Sequence, residues 1–254
     1  MSFLKKSDQK RKIVNPIHLW LLKEISQLQS NCPKIDWVKK YLGSDKIFHG
    51  FSTGQMVDLA RKTVQENNLD EGKTIELLNS LYSQGDTYTE IALAALILAR
   101  SPKTLKNFDP KNLDLWLNYT CGWAENDILC QSNFTSEILL SNWDEWKKIL
   151  KQFNKSPNIN KRRASLVLLT KSLSQSDDSR LPKLAFQNIE NLKLEKEILI
   201  TKAISWALRA LVKFHKDEVL DYLAKNKDSL PKIAYREAFT KATTGRKYNN
   251  SKKK

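Results

Sequence analysis

The chain has 254 residues, 41% of them hydrophobic and 28% charged, which is enough apolar content to bury a core and too much for general disorder. Its 43 Lys and Arg outnumber 28 Asp and Glu, and the resulting net charge of +15 favours a polyanionic partner, most simply nucleic acid. The longest apolar run, Ile91 to Ala99, is far short of the ~20 residues that cross a bilayer, the N-terminus has no apolar secretion segment, and the odd count of Cys32, Cys121 and Cys130 argues against a disulfide framework and for a reducing compartment, cytoplasmic or nuclear.

In chain order, residues 1–14 hold the basic run KKSDQKRK and read as a solvated tail. Residues 15–245 read as one helical domain, and residues 246–254 as a second basic tail. Within the domain, apolar residues recur at three and four over segments 18–29, 52–67, 72–84, 87–99, 112–120, 123–131, 142–153, 162–173, 179–190, 195–214, 216–226 and 231–243. No stretch reads as a strand, and glycine and proline number only seven each. The pattern predicts an all-α chain. Its tandem spacing is similar to HEAT-type helix pairs of ~40 residues, which predicts a C-shaped solenoid with a basic concave face. The segments share no obvious consensus, so a compact irregular bundle fits them as well.

Three segments carry candidate chemistry. In GWAENDILC, residues 122–130, Trp123, Asp127 and Cys130 stand at i, i+4 and i+7 and share a helix face, so an indole and a carboxylate are presented together. An aspartate so placed is also compatible with simple solvation or ion pairing. In NINKRRASLVLL, residues 158–169, Asn160 is expected to cap a helix whose first turn holds Arg162 and Arg163. Cations there oppose the helix dipole, which hints at a partner with negative charge, although a surface arginine pair reads the same way. In TKAISWALRALVKF, residues 201–214, Ile204, Ala207, Leu208 and Leu211 form a packing face, while Lys202, Trp206, Arg209 and Lys213 lie opposite. Cations around an indole suit a base or sugar held between phosphates. A boundary tryptophan under snorkelling lysines has the same spacing.

Other chemistries do not fit. The Gly-Lys-Thr at Gly72 lacks a P-loop's first glycine, since position 67 is Asn67. His18, His49 and His215 are far apart and no cysteine pair has zinc spacing, which argues against a metal site. No Gly-x-Ser-x-Gly elbow is present.

The segments GWAENDILC, KRRASLVLL and KAISWALRAL, in this order and spacing, together resemble the AlkD-type family of DNA alkylation repair proteins, which are HEAT-like repeat alkylpurine DNA glycosylases. Residues 46–62, 88–99 and 230–242 are similar to that family too, so the likeness spans nearly the whole domain. The resemblance implies Asp127 as the catalytic aspartate, Trp123 and Trp206 as active-site tryptophans, and Arg163, Arg209 and Lys202 on DNA, with Arg162 and Lys213 adding to the basic face. Ala124 and Glu125 depart from the family's pattern beside its first tryptophan.

It further implies excision of cationic N3- and N7-alkylated purines from double-stranded DNA by a monomer, with no cofactor. An ionised Asp127 would stabilise an oxocarbenium-like sugar and orient water. The expectation for the arginines is that they hold phosphates. Two other readings are a HEAT-repeat protein that binds DNA of unusual structure without cleaving it, and a basic scaffold for RNA or protein.

Overall fold

A computed structural model describes residues 13–28 and 35–247. The tails called from sequence therefore lie outside the described residues over 1–12 and 248–254, as does Cys32. Among the described residues the chain forms α1 (Pro16–Gln27), α2 (Ile35–Leu42), α3 (Thr53–Glu66), α4 (Glu71–Gln84), α5 (Tyr88–Leu98), α6 (Pro102–Lys106) and α7 (Asn112–Trp116). These are followed by α8 (Gly122–Asn133), α9 (Ser136–Ser141), α10 (Trp143–Asn154), α11 (Ile159–Gln175), α12 (Arg180–Leu192), α13 (Ile198–Lys225) and α14 (Lys232–Thr244). Extended structure among those residues is limited to one isolated bridge between Ile47 and Thr87. The fold is an all-α helical repeat.

Local chemistry sets the helix starts. Asn15 accepts from the backbone N–H groups of Ile17 and His18 ahead of Pro16, and Ser52 with Gln55 and Thr87 with Glu90 form reciprocal capping boxes. The cap of α11 is Asn158, which accepts from the Asn160 N–H at 2.8 Å. The expected cap, Asn160, is already inside the helix, and its amide donates instead to the Thr120 carbonyl at 2.7 Å.

Helices α3, α5, α8, α11, α13 and α14 each pack on the next, forming one row, with α4, α10 and α12 behind it. Back-row helices bury a single stripe: Trp146, Ile149, Leu150 and Phe153 on α10, and Leu181, Leu184, Ala185, Ile189 and Leu192 on α12. In the front row α5 is buried at every position, because α3, α4, α6 and α8 surround it. An aromatic seam of Tyr82, Trp116, Phe108, Phe134 and Trp146 joins α4 to α10 through ring centroids 4.9–6.2 Å apart.

The two segments expected at 195–214 and 216–226 make up α13, two helices joined across a kink at His215, where φ −126° and ψ 41° leave the helical region as the break between the segments predicted. The packing face expected on it, Ile204, Ala207, Leu208 and Leu211, is buried. Helices α2, α6 and α9 have no counterpart among the expected segments. They have eight, five and six residues, about two turns or fewer, which leaves little periodicity to read.

Candidate active site

Helix α8 begins where two backbones touch. Gly122 has φ +67°, and a Cβ there would lie 2.1 Å from the Gly43 carbonyl oxygen, so glycine is required both by conformation and by space. Gly43 ends α2 with φ +69°. The contact brings α2 against α8: the Trp123 indole N–H donates to the Tyr41 carbonyl at 2.8 Å, and the Tyr41 ring meets Trp123 edge-on, centroids 5.2 Å apart. Glu125, fully buried, anchors the same corner by accepting from the Cys121 N–H at 2.7 Å, Ser44 Oγ at 2.6 Å and Lys46 Nζ at 2.6 Å.

One turn along α8, Asp127 points at α11. Arg163 Nε donates to Oδ1 at 2.9 Å and Nη2 to Oδ2 at 2.7 Å, a two-pronged pair. Arg163 Nη1 also donates to the Leu199 carbonyl in the first turn of α13. A single guanidinium thus joins three successive front-row helices. The Asp127 side chain is 13% exposed and that of Arg163 5%, so the carboxylate is the more open partner. Burial pushes the Asp127 carboxyl above its ordinary value, and the bonds and charge of Arg163 only partly offset this.

Arg163, expected to hold a phosphate, is bonded here to Asp127 and Leu199 of its own chain. Its neighbour is also paired within the chain. Arg162 faces Glu195, with Nε 2.8 Å from Oε1, and donates to the carbonyls of Ser156 and Pro157 at 2.9 Å each. The cations that oppose the α11 dipole have negative partners within this chain, Asp127 on α8 and Glu195 in the connection between α12 and α13. Arg209 is likewise drawn to α14, its Nε 3.3 Å from Ser205 Oγ and 3.5 Å from Glu237 Oε2. Lys213 is exposed but donates to the Ser174 carbonyl in the last turn of α11, at 2.7 Å.

Lys202 is exposed on α13, as its spacing predicted. Trp206 is half-buried against the core. It follows Leu199 by seven residues, two turns or about 10 Å along the axis, on the side where Arg163 meets α13. Cys130, expected on the face with Trp123 and Asp127, is fully buried, and its thiol is pushed well up by that burial and by the nearby Asp127 charge.

Sequence reasoning passed over several residues that position these side chains. Glu125 was noted only as a departure beside Trp123, yet it fixes the start of α8. Asn126 donates to the Asn160 carbonyl at 2.8 Å, and Gln131 to the Val167 carbonyl and Thr170 Oγ1 at 2.6 Å each, so α8 is sewn to α11 on both sides of Asp127. All of these bonds join residues more than 30 positions apart, which helical periodicity does not register.

Stacked helical repeats that bring a carboxylate, an indole and cations onto successive front-row helices define a class of basic, all-α repeat protein. A family model described as DNA alkylation repair enzyme matches residues 22–242. The chain belongs to that family, and DNA is its substrate. A solved structure from Enterococcus faecalis, described as a predicted DNA alkylation repair enzyme, matches with a TM-score of 0.64 at 20% identity, covering 84% of this chain and 96% of that one. That likeness bears on the fold. The search of curated proteins returns no match.

Proposed function

We propose that the chain is a DNA glycosylase that hydrolyses the N-glycosidic bond of cationic N3- and N7-alkylated purines in double-stranded DNA. The observation that carries this reading is Asp127, a partly exposed carboxylate held by two hydrogen bonds in one orientation, one turn from Trp123. An alkylated purine already bears positive charge, so it leaves without being protonated. As the bond from C1′ to the purine nitrogen breaks, its electron pair moves onto the purine and cancels that charge. The sugar becomes cationic, Asp127 stabilises it, and water bonds to C1′ while its proton passes to the carboxylate or to solvent. Arg163 keeps Asp127 ionised against burial and holds it still. Because the pair is neutral, it does not repel the DNA backbone as a lone carboxylate would. Trp123 and Trp206 offer π faces to the sugar and the cationic lesion, while Lys202 and the other exposed lysines supply phosphate contacts.

A second reading is favoured by the same pair. If Asp127 serves only to tie α8 to α11, the chain binds DNA of unusual structure without cutting it. Incubation with methylated duplex DNA, followed by chromatography of the free bases, separates the two. Release of 3-methyladenine and 7-methylguanine supports the glycosylase; binding with no release supports the second reading.

A further inference from the structure

Helix α2 carries two large rings that the site's chemistry does not use. Trp37 and Tyr41, at i and i+4, stack nearly parallel, with centroids 5.3 Å apart and planes 6° from one another. They are 62% and 56% exposed. Tyr41 continues the contact inward to Trp123, and Trp123 precedes Asp127 by one helical turn. Lys39 and Lys40 occupy the last turn of the same helix. The placement of α2 is built in, because Gly43 and Gly122 meet backbone to backbone.

We infer that the Trp37–Tyr41 stack is a platform for a nucleobase displaced from the duplex, next to the candidate active site. The two rings cover one face of each other, which leaves the outer face of the stack at Trp37 for a base to lie on, and every base has a π face, so stacking needs no sequence preference. The adjacent lysines suit the phosphates on either side of such a base. The size of the patch argues against a protein partner. Two aromatic side chains bury at most about 300–500 Å², well below the ~1,000 Å² of a specific protein interface. The inference rests on DNA being the ligand of this site, but not on Asp127 performing hydrolysis.

The test uses the full chain and undamaged DNA: one fully paired duplex and the same duplex with a single unpaired 2-aminopurine nucleotide. The wild-type protein is expected to bind the bulged duplex about tenfold more tightly, in line with the stacking of one base, and to quench the 2-aminopurine fluorescence. The Trp37→Ala/Tyr41→Ala variant is expected to lose both effects, and Trp37→Phe/Tyr41→Phe to keep both. Equal binding of the two duplexes by wild type, or an unchanged preference in the alanine variant, would overturn the platform, as would loss of the preference in the phenylalanine variant. Release of 7-methylguanine is measured in parallel. Release without bulge preference removes the platform alone, and bulge preference without release removes the glycosylase reading alone.

Discussion

Removing Arg163 would leave the Asp127 carboxylate in surroundings that already disfavour its charge. Breaking a buried pair at one end costs about 3–5 kcal/mol, so Arg163→Ala should lower stability by an amount in that range, read from urea unfolding. The same change has a signature in catalysis. If excision needs ionised Asp127, the rate falls on the acid side through the Asp127 pKa, which lies above the ordinary 3.8. Arg163→Ala removes the contribution that lowers it, so the acid limb should move to higher pH; an unmoved limb would detach Asp127 from that limb. The effect on folding has the opposite sense to a stabilised carboxylate. Since the folded-state pKa of Asp127 is raised, its favourable contribution belongs to the protonated form and is lost as pH climbs through that value. The face shared by Trp123 and Asp127 was legible in their four-residue spacing. Their partners were not: Arg163 is 36 positions from Asp127, and only packing of α8 on α11 joins them.

Helices of ten residues or more announce themselves through repeated apolar positions, and the expected segments fall on α1, α3, α4, α5, α8 and α10 to α14 within a few residues. The boundary of α11 was misplaced because two asparagines, Asn158 and Asn160, each suit a cap, and tertiary bonding to Thr120 settles which serves. The docking of α2 rests on Gly122, whose only sign in the sequence is a glycine before Trp123. Gly122→Ala should destabilise by at least about 1–3 kcal/mol, from a left-handed backbone alone, and should shift Trp123 fluorescence as Tyr41 withdraws; an unchanged spectrum and melting temperature would contradict the close contact. On α5, which packs against α8, Glu90 lies 2.8 Å from His18 of α1. Burial pushes the Glu90 carboxyl up, but bonds from His18 and Thr87 outweigh it and leave the pKa below 4.5. Glu90 therefore stabilises the fold above the unfolded value and loses that contribution as pH falls through the folded one. Glu90→Gln keeps a cap for α5 but should flatten the fall in urea midpoint from about pH 6 to about pH 3.

Across the whole molecule, the net charge of +15 foretold a polyanion but not which cations would meet it. Arginines at the centre of the site are tied to carboxylates of the same chain, and we propose that phosphate contact falls to exposed lysines. Each phosphate contact contributes about 0.9 to the slope of log K against log salt. Lys202→Gln should flatten that slope by about one contact, whereas Arg162→Gln, paired with Glu195 at 2.8 Å, should leave it unchanged. The reverse pattern would mean that the ion pairs open when DNA arrives. The all-α class was legible from helix period, while period and spacing left a repeat and an irregular bundle open; that choice and the internal neutralisation of the arginines depend on how successive helices are brought side by side.

We propose that Asp127 acts on the sugar and is not merely a tie between α8 and α11. Single-turnover release of 7-methylguanine by wild type and by Asp127→Asn, on saturating enzyme and with both proteins verified as folded and DNA-bound, tests it most directly. The amide keeps a hydrogen-bonding shape but loses the charge, so the rate should fall by a factor of about 100 to 1,000 with DNA affinity preserved. Release at the wild-type rate would contradict the account.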